Sequence, residues 1–473
     1  MEKNLLKKFM EYGVGSIITL LLGFITSPII TRLISPDENG RFSIFNTVTN
    51  LLMLIIILGL DQSYVRFYYE EEEDNRGKLI RNCIKAPLIL NLIAAILILI
   101  FYNRVSLYIV EEKSLAIAIL LSLNVFFTIL SRFALLQVRM KQRGKLYSLL
   151  NIITKIVNLI FVLIIFFVYK NNYMTLILAH IATTIIVTII AIIIEKKEWT
   201  KKGNRKLKTT QKEIVKYGLP LVFSMAVTWV FQSIDKITIK EFSGYAQVGL
   251  YSGAMTIISL LNAVQSTFTT FWVPVAFERY SSNPDDKEFF QFINKIVTIV
   301  MLVIAIGLIT CKDIIVLLLG HKYREAVFIF PYLVFMPIMY TISETTVLGI
   351  NFKKKSKYHI YIAIISAIFN LIGNIILVPK FGATGAAIST GLAYIIFFIA
   401  RTYFSVKLYN INYGLYKFTV STILVYILAT YSSFYRFNVV IAILALINLF
   451  VIGTLYKDTL LQLIKIIKNK VKF

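Results

Sequence analysis

The chain has 473 residues, 58% of them hydrophobic and 16% charged, with 50 Lys and Arg against 25 Asp and Glu. Soluble globular chains run at about 45–50% apolar and about 25% charged residues, so an aqueous enzyme of two or three domains is excluded and the long apolar runs mark an integral membrane protein. A net charge of +25 would suit nucleic acid, but in such a chain the cations are read by the membrane face they occupy, and no nucleic-acid partner is expected.

A helix needs about 20 apolar residues to cross hydrocarbon. Such runs fall at 12–34, 42–65, 86–102, 114–137, 146–169, 173–194, 214–239, 246–273, 289–310, 325–350, 358–379, 382–405, 415–433 and 437–456. Basic MEKNLLKKF precedes the first run with no small-residue cleavage site after it, so that run reads as a retained span and not a signal peptide. The expectation is an all-α polytopic protein of about fourteen transmembrane helices. Cys83 and Cys311 fall on opposite faces in this topology, and no disulfide is expected between them.

Charge tests the map independently of hydropathy, because cytoplasmic loops of membrane proteins carry the Lys and Arg excess. With the N-terminus inside, and with Lys216, Lys236, Lys295, Arg401 and Lys417 inside the marked runs counted with the adjoining segments, 36 of the 50 Lys and Arg fall on the cytoplasmic side and 11 on the external side, leaving Arg32, Arg132 and Lys155 as the span cations. Both termini are therefore expected in the cytoplasm, and most of the basic charge is an orientation signal. The 195–213 run, EKKEWTKKGNRKLKTTQKE, reads as a solvated linker near anionic lipid heads.

Spans 1 and 7 open alike. Tyr12-Gly13 matches Tyr217-Gly218, Gly40 after span 1 matches Gly249 after span 7, and each copy starts a block of six spans. Transporters often carry such repeats, with the substrate site where the halves meet. The predicted organisation is an N-terminal lobe over 1–194, the linker 195–213, a C-terminal lobe over 214–405, and peripheral spans 13 and 14 with a basic tail over 406–473.

Polar side chains in mid-span are costly and should face a partner helix or an aqueous cavity. Several recur at helical spacing and so share a face. These are Asn151, Lys155 and Asn158 in span 5; Asn124, Thr128, Ser131 and Arg132 in span 4; Thr228, Gln232 and Asp235 in span 7, with Lys236 beside them; Ser252, Thr256, Ser259, Asn262, Ser266 and Thr269 in span 8; and Ser366, Asn370 and Asn374 in span 11. Stripes in both halves predict a wet central cleft, with interhelical hydrogen bonding as the plainer reading of each hydroxyl or amide. Lys155 lies about 13 Å from the cytoplasmic end of its helix at 1.5 Å per residue, too deep to snorkel, so it is expected to line the cavity. Arg132 lies about two turns from the inner end of span 4, and Arg32 is near the outer end of span 1. The acids are Asp61 and Glu344 toward the inside and Asp235 toward the outside. His180, with an ordinary pKa of about 6.5, is a candidate proton-coupling group. Pro28, Pro220, Pro331 and Pro337 are expected to interrupt spans 1, 7 and 10. Phosphate-loop, metal-binding and nucleophile-elbow patterns are missing, so an ATP-driven pump is disfavoured, no cofactor is expected, and ion-coupled or downhill transport remains.

LGLDQSYVRFY at 58–68, the paired Tyr-Gly openings, GINFKKKSKYH at 349–359 and VPKFGATGAAIST at 378–390 together resemble polysaccharide-transporter flippases. These are the O-antigen (Wzx-type) lipid-linked oligosaccharide flippases of the multidrug/oligosaccharidyl-lipid/polysaccharide exporter superfamily. The resemblance covers essentially the whole chain. It implies two six-helix lobes around a central cavity, with spans 13 and 14 peripheral, in a bacterial inner membrane. It also implies alternating access that carries an undecaprenyl-pyrophosphate-linked sugar unit to the outer leaflet. Membrane lipid, a glycan polymerase and a coupling H+ or Na+ are the further partners it suggests. By motif position only Asp61 and Arg66 carry over; Lys155 and Arg132 are chosen on depth and helical face. Lipid II flippases have an Arg-Asp pair after the LGF of span 1, where this chain has Ile25, Thr26 and Ser27, which favours a surface-polysaccharide or teichoic-type unit. A multidrug exporter of the same fold would want acids or aromatic faces in its cleft, and a membrane glycan polymerase or ligase would want a large external loop.

Overall fold

A computed structural model describes the backbone of residues 2–200 and 206–470 and the side chains of Gly15, 18–200 and 206–465; Tyr12 and Gly13 lie outside the described side chains. The described residues form helices and connecting turns with no strands, and the chain divides into two compact units, Met1–Lys236 and Ile237–Phe473.

The first unit contains α1 (Glu2–Leu33), α2 (Pro36–Ile57), α3 (Leu60–Phe67), α4 (Arg76–Ile100), α5 (Tyr102–Val110), α6 (Leu115–Met140), α7 (Gly144–Tyr169), α8 (Tyr173–Ile194) and the short α9 (Lys196–Thr200). It also holds the first part of α10 (Gln211–Ser282), whose only non-helical residue is Gly244. At 1.5 Å per residue the 72 residues of α10 would run about 108 Å, far beyond a hydrocarbon core of about 30 Å. It is therefore two spans bent at Gly244. Helix α1 packs on α7, α7 and α6 on α8, and α4 on α6, around a core that includes Phe45, Tyr64, Leu79, Ile117 and Phe133.

The second unit continues with α11 (Lys287–Thr310), α12 (Lys312–Val316), α13 (Ala326–Leu333), α14 (Phe335–Thr346), α15 (Leu348–Phe352), α16 (Lys357–Leu408), α17 (Leu415–Ser432), α18 (Val439–Leu455) and α19 (Lys457–Lys470). Helix α16 is again two spans, bent at Gly382. Nearly every residue from Ala326 to Phe352 is buried, which makes α13–α15 the centre of this unit, with α11 and α16 packed against it and α17 and α18 on α11. Several helices start on a capped turn: Asn172 accepts from Met174 N at 2.8 Å, Asp286 from Phe289 N at 3.2 Å and Asn438 from Ile441 N at 3.1 Å.

The outward faces are apolar. Leu92, Ile96 and Ile100 of α4, and Ile164, Phe167 and Val168 of α7, are exposed, a pattern suited to lipid and not water. Among the described residues ten helices are long and apolar enough to cross a membrane, two of them the double spans α10 and α16. Every expected span falls on a helix, and this is an all-α multi-pass membrane protein.

Three expectations about local structure are corrected. Span 2 is broken at Leu58 and Gly59, both left-handed at φ 54° and 69°, so its last third is the separate helix α3. Pro28 and Pro220 lie inside continuous helix, and in span 10 only Val334, itself helical in φ and ψ, separates α13 from α14, where Pro337 supplies no N–H to the preceding turn. The 195–213 linker is also no loose tether. Buried Glu195 pairs with Lys141 at 2.6 Å and Arg143 at 2.8 Å, Arg81 donates to the Trp199 carbonyl at 3.1 Å, and buried Glu71 accepts from the backbone of Lys208 and Thr209 at 3.2 and 2.7 Å. Glu195, Trp199 and the Lys208-Thr209 backbone thus fasten the linker, while most of its other described residues are exposed, as a solvated linker requires.

Candidate functional site

The Leu58-Gly59 break sets the start of α3 so that Asp61 meets α6. Gly59 tolerates its φ of 69°, and a methyl group there would overlap the carbonyl of Gly218 on α10. Asp61 is completely buried, and its Oδ2 accepts from Arg132 Nη2 at 2.8 Å, from Arg132 Nε at 3.1 Å and from Gln62 Nε2 at 3.0 Å. All three donors converge on one oxygen. Oδ1 is buried without a partner.

Arg132 by contrast is 48% exposed. It lines a cavity of about 440 Å³ whose polar wall comprises Asn50, Asp61, Thr128, Arg132, Ser224, Thr228 and Gln232, with Met53, Leu54, Ile57, Met225 and Trp229 supplying the apolar part. These residues come from α2, α3, α6 and α10 at three- and four-residue spacings, the signature of helix faces turned to one space. The polar stripes predicted for spans 4 and 7 thus meet in one place through Thr128, Arg132, Thr228 and Gln232. Thr128 Oγ1 and Trp229 Nε1 are buried there with no hydrogen-bond partner among the described residues.

The other predicted residues are placed elsewhere. Arg66 is exposed and ion-paired with Glu70 one turn on, off the cavity wall. Lys155 is exposed on α7 between half-buried Asn151 and Asn158. His180 sets its ring edge-on to Phe42 at 5.9 Å. Arg32 is exposed, Asp235 buried, and Lys236 and Asn262 half-buried. The hydroxyls of Thr256, Ser259, Ser266 and Thr269 return to carbonyls of their own helix. Asn370 is fully buried and accepts from Ser389 Oγ at 2.8 Å and Asn374 Nδ2 at 3.1 Å, so that stripe is an interhelical network.

Glu344 is also paired, and its partner went unrecognised in the sequence. Arg401, which the charge count placed with the cytoplasmic loop, lies inside α16 with its side chain 7% exposed and its Nη1 2.8 Å from Glu344 Oε1. It donates to Ser343 Oγ at 2.6 Å and sits over the Tyr340 and Phe397 rings at 5.1 and 5.0 Å. Its position in YIIFFIARTYF, a run with no other charge, was the available signal.

A second, apolar groove of about 860 Å³ lies in the second unit between α16 and α17, lined by Phe398, Phe418, Ile423 and Tyr426 among others.

The sequence profile of a family described as polysaccharide biosynthesis protein matches residues 5–280. The capsular polysaccharide biosynthesis protein CapF of Staphylococcus aureus is 23% identical over 86% of this chain and 100% of its own length. Among solved structures, lipid II flippase MurJ in an inward closed conformation superposes with a TM-score of 0.71 at 17% identity, covering 95% of this chain and 99% of its own. An inward-facing multidrug resistance MATE family transporter of the MOP superfamily gives 0.61 at 14% identity over 83% of this chain and 93% of its own. At these identities the two structures speak to fold.

Proposed function

The chain belongs to the polysaccharide biosynthesis protein family, and from that premise we propose that it is a flippase for a lipid-linked glycan. It moves an undecaprenyl-pyrophosphate-linked oligosaccharide unit from the cytoplasmic to the outer leaflet by alternating access of its two lobes, as a transporter and not a catalyst. Its setting is a bacterial inner membrane with both termini cytoplasmic, and H+ or Na+ is the coupling ion.

The observation that carries this reading is Arg132. A pyrophosphate has to be paired with cations to cross hydrocarbon, and Arg132 offers a half-exposed guanidinium on the polar wall of a cavity between apolar helices. Asp61 holds it through a single carboxylate oxygen, which keeps the group oriented, with Nε and Nη2 engaged and Nη1 outside that pair. A multidrug exporter of cations needs an available negative charge in its cavity; Asp61 is fully buried and already neutralised.

The test is transport by the purified protein in proteoliposomes, using a fluorescent polyprenyl-pyrophosphate oligosaccharide and a membrane-impermeant quencher. Wild type is expected to move the label across the bilayer, and Arg132→Gln to slow it at least about tenfold, the loss of one charge-assisted contact. Equal rates refute the cation reading, and export of cationic drugs with no movement of the lipid favours the multidrug reading.

A further inference from the structure

We infer that the α10 side of the Arg132 cavity is a sugar subsite that holds the monosaccharide next to the phosphate, with Trp229 as its platform and Thr228, Gln232 and Asn50 as its polar contacts. This rests on the flippase reading and adds to it which part of the substrate the cavity recognises.

Trp229 carries the argument. It lines the cavity and is half-buried, yet its Nε1 is sealed from solvent and without a partner. What the indole shows the cavity is therefore carbon surface. Ser224, Thr228 and Gln232 are exposed on the same helix, and Asn50 is exposed on α2. A sugar ring has the matching character, with apolar C–H faces that pack on an aromatic plane and a rim of hydroxyls that pair with amides and hydroxyls. A purely anionic ligand would leave the Trp229 and Met225 surface unused, and an apolar chain would leave the exposed Asn50, Ser224 and Gln232 side chains without a polar partner in the cavity; Thr228 Oγ1 donates to the Ser224 carbonyl at 3.1 Å and offers its acceptor side. The cavity volume of about 440 Å³ lies toward the small end for organic-ligand pockets, suiting a phosphate with one or two sugar rings and not a whole oligosaccharide.

The experiment is calorimetric titration of the full-length protein in nanodiscs with inorganic phosphate and with the 1-phosphates of glucose, galactose, mannose, N-acetylglucosamine and N-acetylgalactosamine. Wild type should bind at least one sugar phosphate more tightly than phosphate by about three- to tenfold, the worth of one aromatic contact with a hydrogen bond. Trp229→Ala should remove that preference and leave phosphate affinity unchanged, and Trp229→Phe should keep part of it. Gln232→Ala, at an exposed position that does not threaten folding, should reduce it about threefold. No preference in wild type, or a preference that survives both Trp229→Ala and Gln232→Ala, overturns the subsite. Phosphate affinity unchanged by Arg132→Ala sinks the flippase reading and the subsite with it, whereas loss of phosphate binding in that variant with the sugar preference indifferent to Trp229 sinks the subsite alone.

Discussion

Asp61–Arg132 in the first unit and Glu344–Arg401 in the second are both carboxylate–guanidinium pairs between helices, and they are built differently. Arg401 and Glu344 are both under a tenth exposed, with Ser343 and two aromatic rings closing the remaining space. Asp61 is as deeply buried, but Arg132 is half open to a cavity. A pair sealed on all sides can do little except hold its helices in register, because separating it strands a charge in a medium that cannot solvate it. A pair with one open member can exchange partners. Depth alone therefore does not mark a transport residue, and a charge becomes informative when a cavity reaches it.

The largest effect is expected in the second unit. Glu344→Gln should leave Arg401 buried and unpaired, at a cost of about 3–5 kcal/mol, read as a large fall in the thermal unfolding midpoint of the detergent-solubilised protein. Replacing both members, Glu344→Leu with Arg401→Met, should be neutral or stabilising by about 1–4 kcal/mol with transport retained. Lost transport at full stability would make this pair functional and erase the contrast. In the first unit, Gly59→Ala should cost about 1–3 kcal/mol through its positive φ and the clash with Gly218, and it should lower transport by shifting Asp61. Asp61→Asn frees a cation that water already reaches, so the stability cost should be about 1 kcal/mol or less. Phosphate affinity in calorimetry should rise, because the competing anion is gone. The smallest effect is expected at Lys155, exposed and without a partner among the described residues: Lys155→Ala should stay within about 0.5 kcal/mol of wild type, and a transport defect there would add a second open cation to the path.

Much of this was legible before any coordinates. Hydropathy alone located the spans, because a lipid-facing helix has no polar alternative. Depth and helical face picked out Arg132, and the family-like LGLD segment picked out Asp61. Their pairing was hidden: the residues lie 71 positions apart in sequence, and the helix break at Leu58 that aims one at the other involves a leucine in a conformation leucine rarely adopts. Arg401 escaped notice because a cation near a span end counts toward orientation, whichever way its side chain turns. The docked linker was half-visible. The acidic run Glu70–Asp74 and the basic run 195–213 have complementary charge, but only the fold brings Glu71 to the backbone of Lys208 and Thr209.

The meeting of Gly59 and Gly218 also acts as a gauge. With no side chain on either, α3 and α10 approach to the thickness of their backbones, and Ser63 Oγ fastens the joint to the Ile214 carbonyl at 2.7 Å. The helix that carries Asp61 and the helix that carries Trp229 are thereby spaced by the smallest separation polypeptide permits. The aperture of the cavity is thus written into two residues that contribute nothing to the chemistry of its wall, and one methyl group at that joint would recalibrate it.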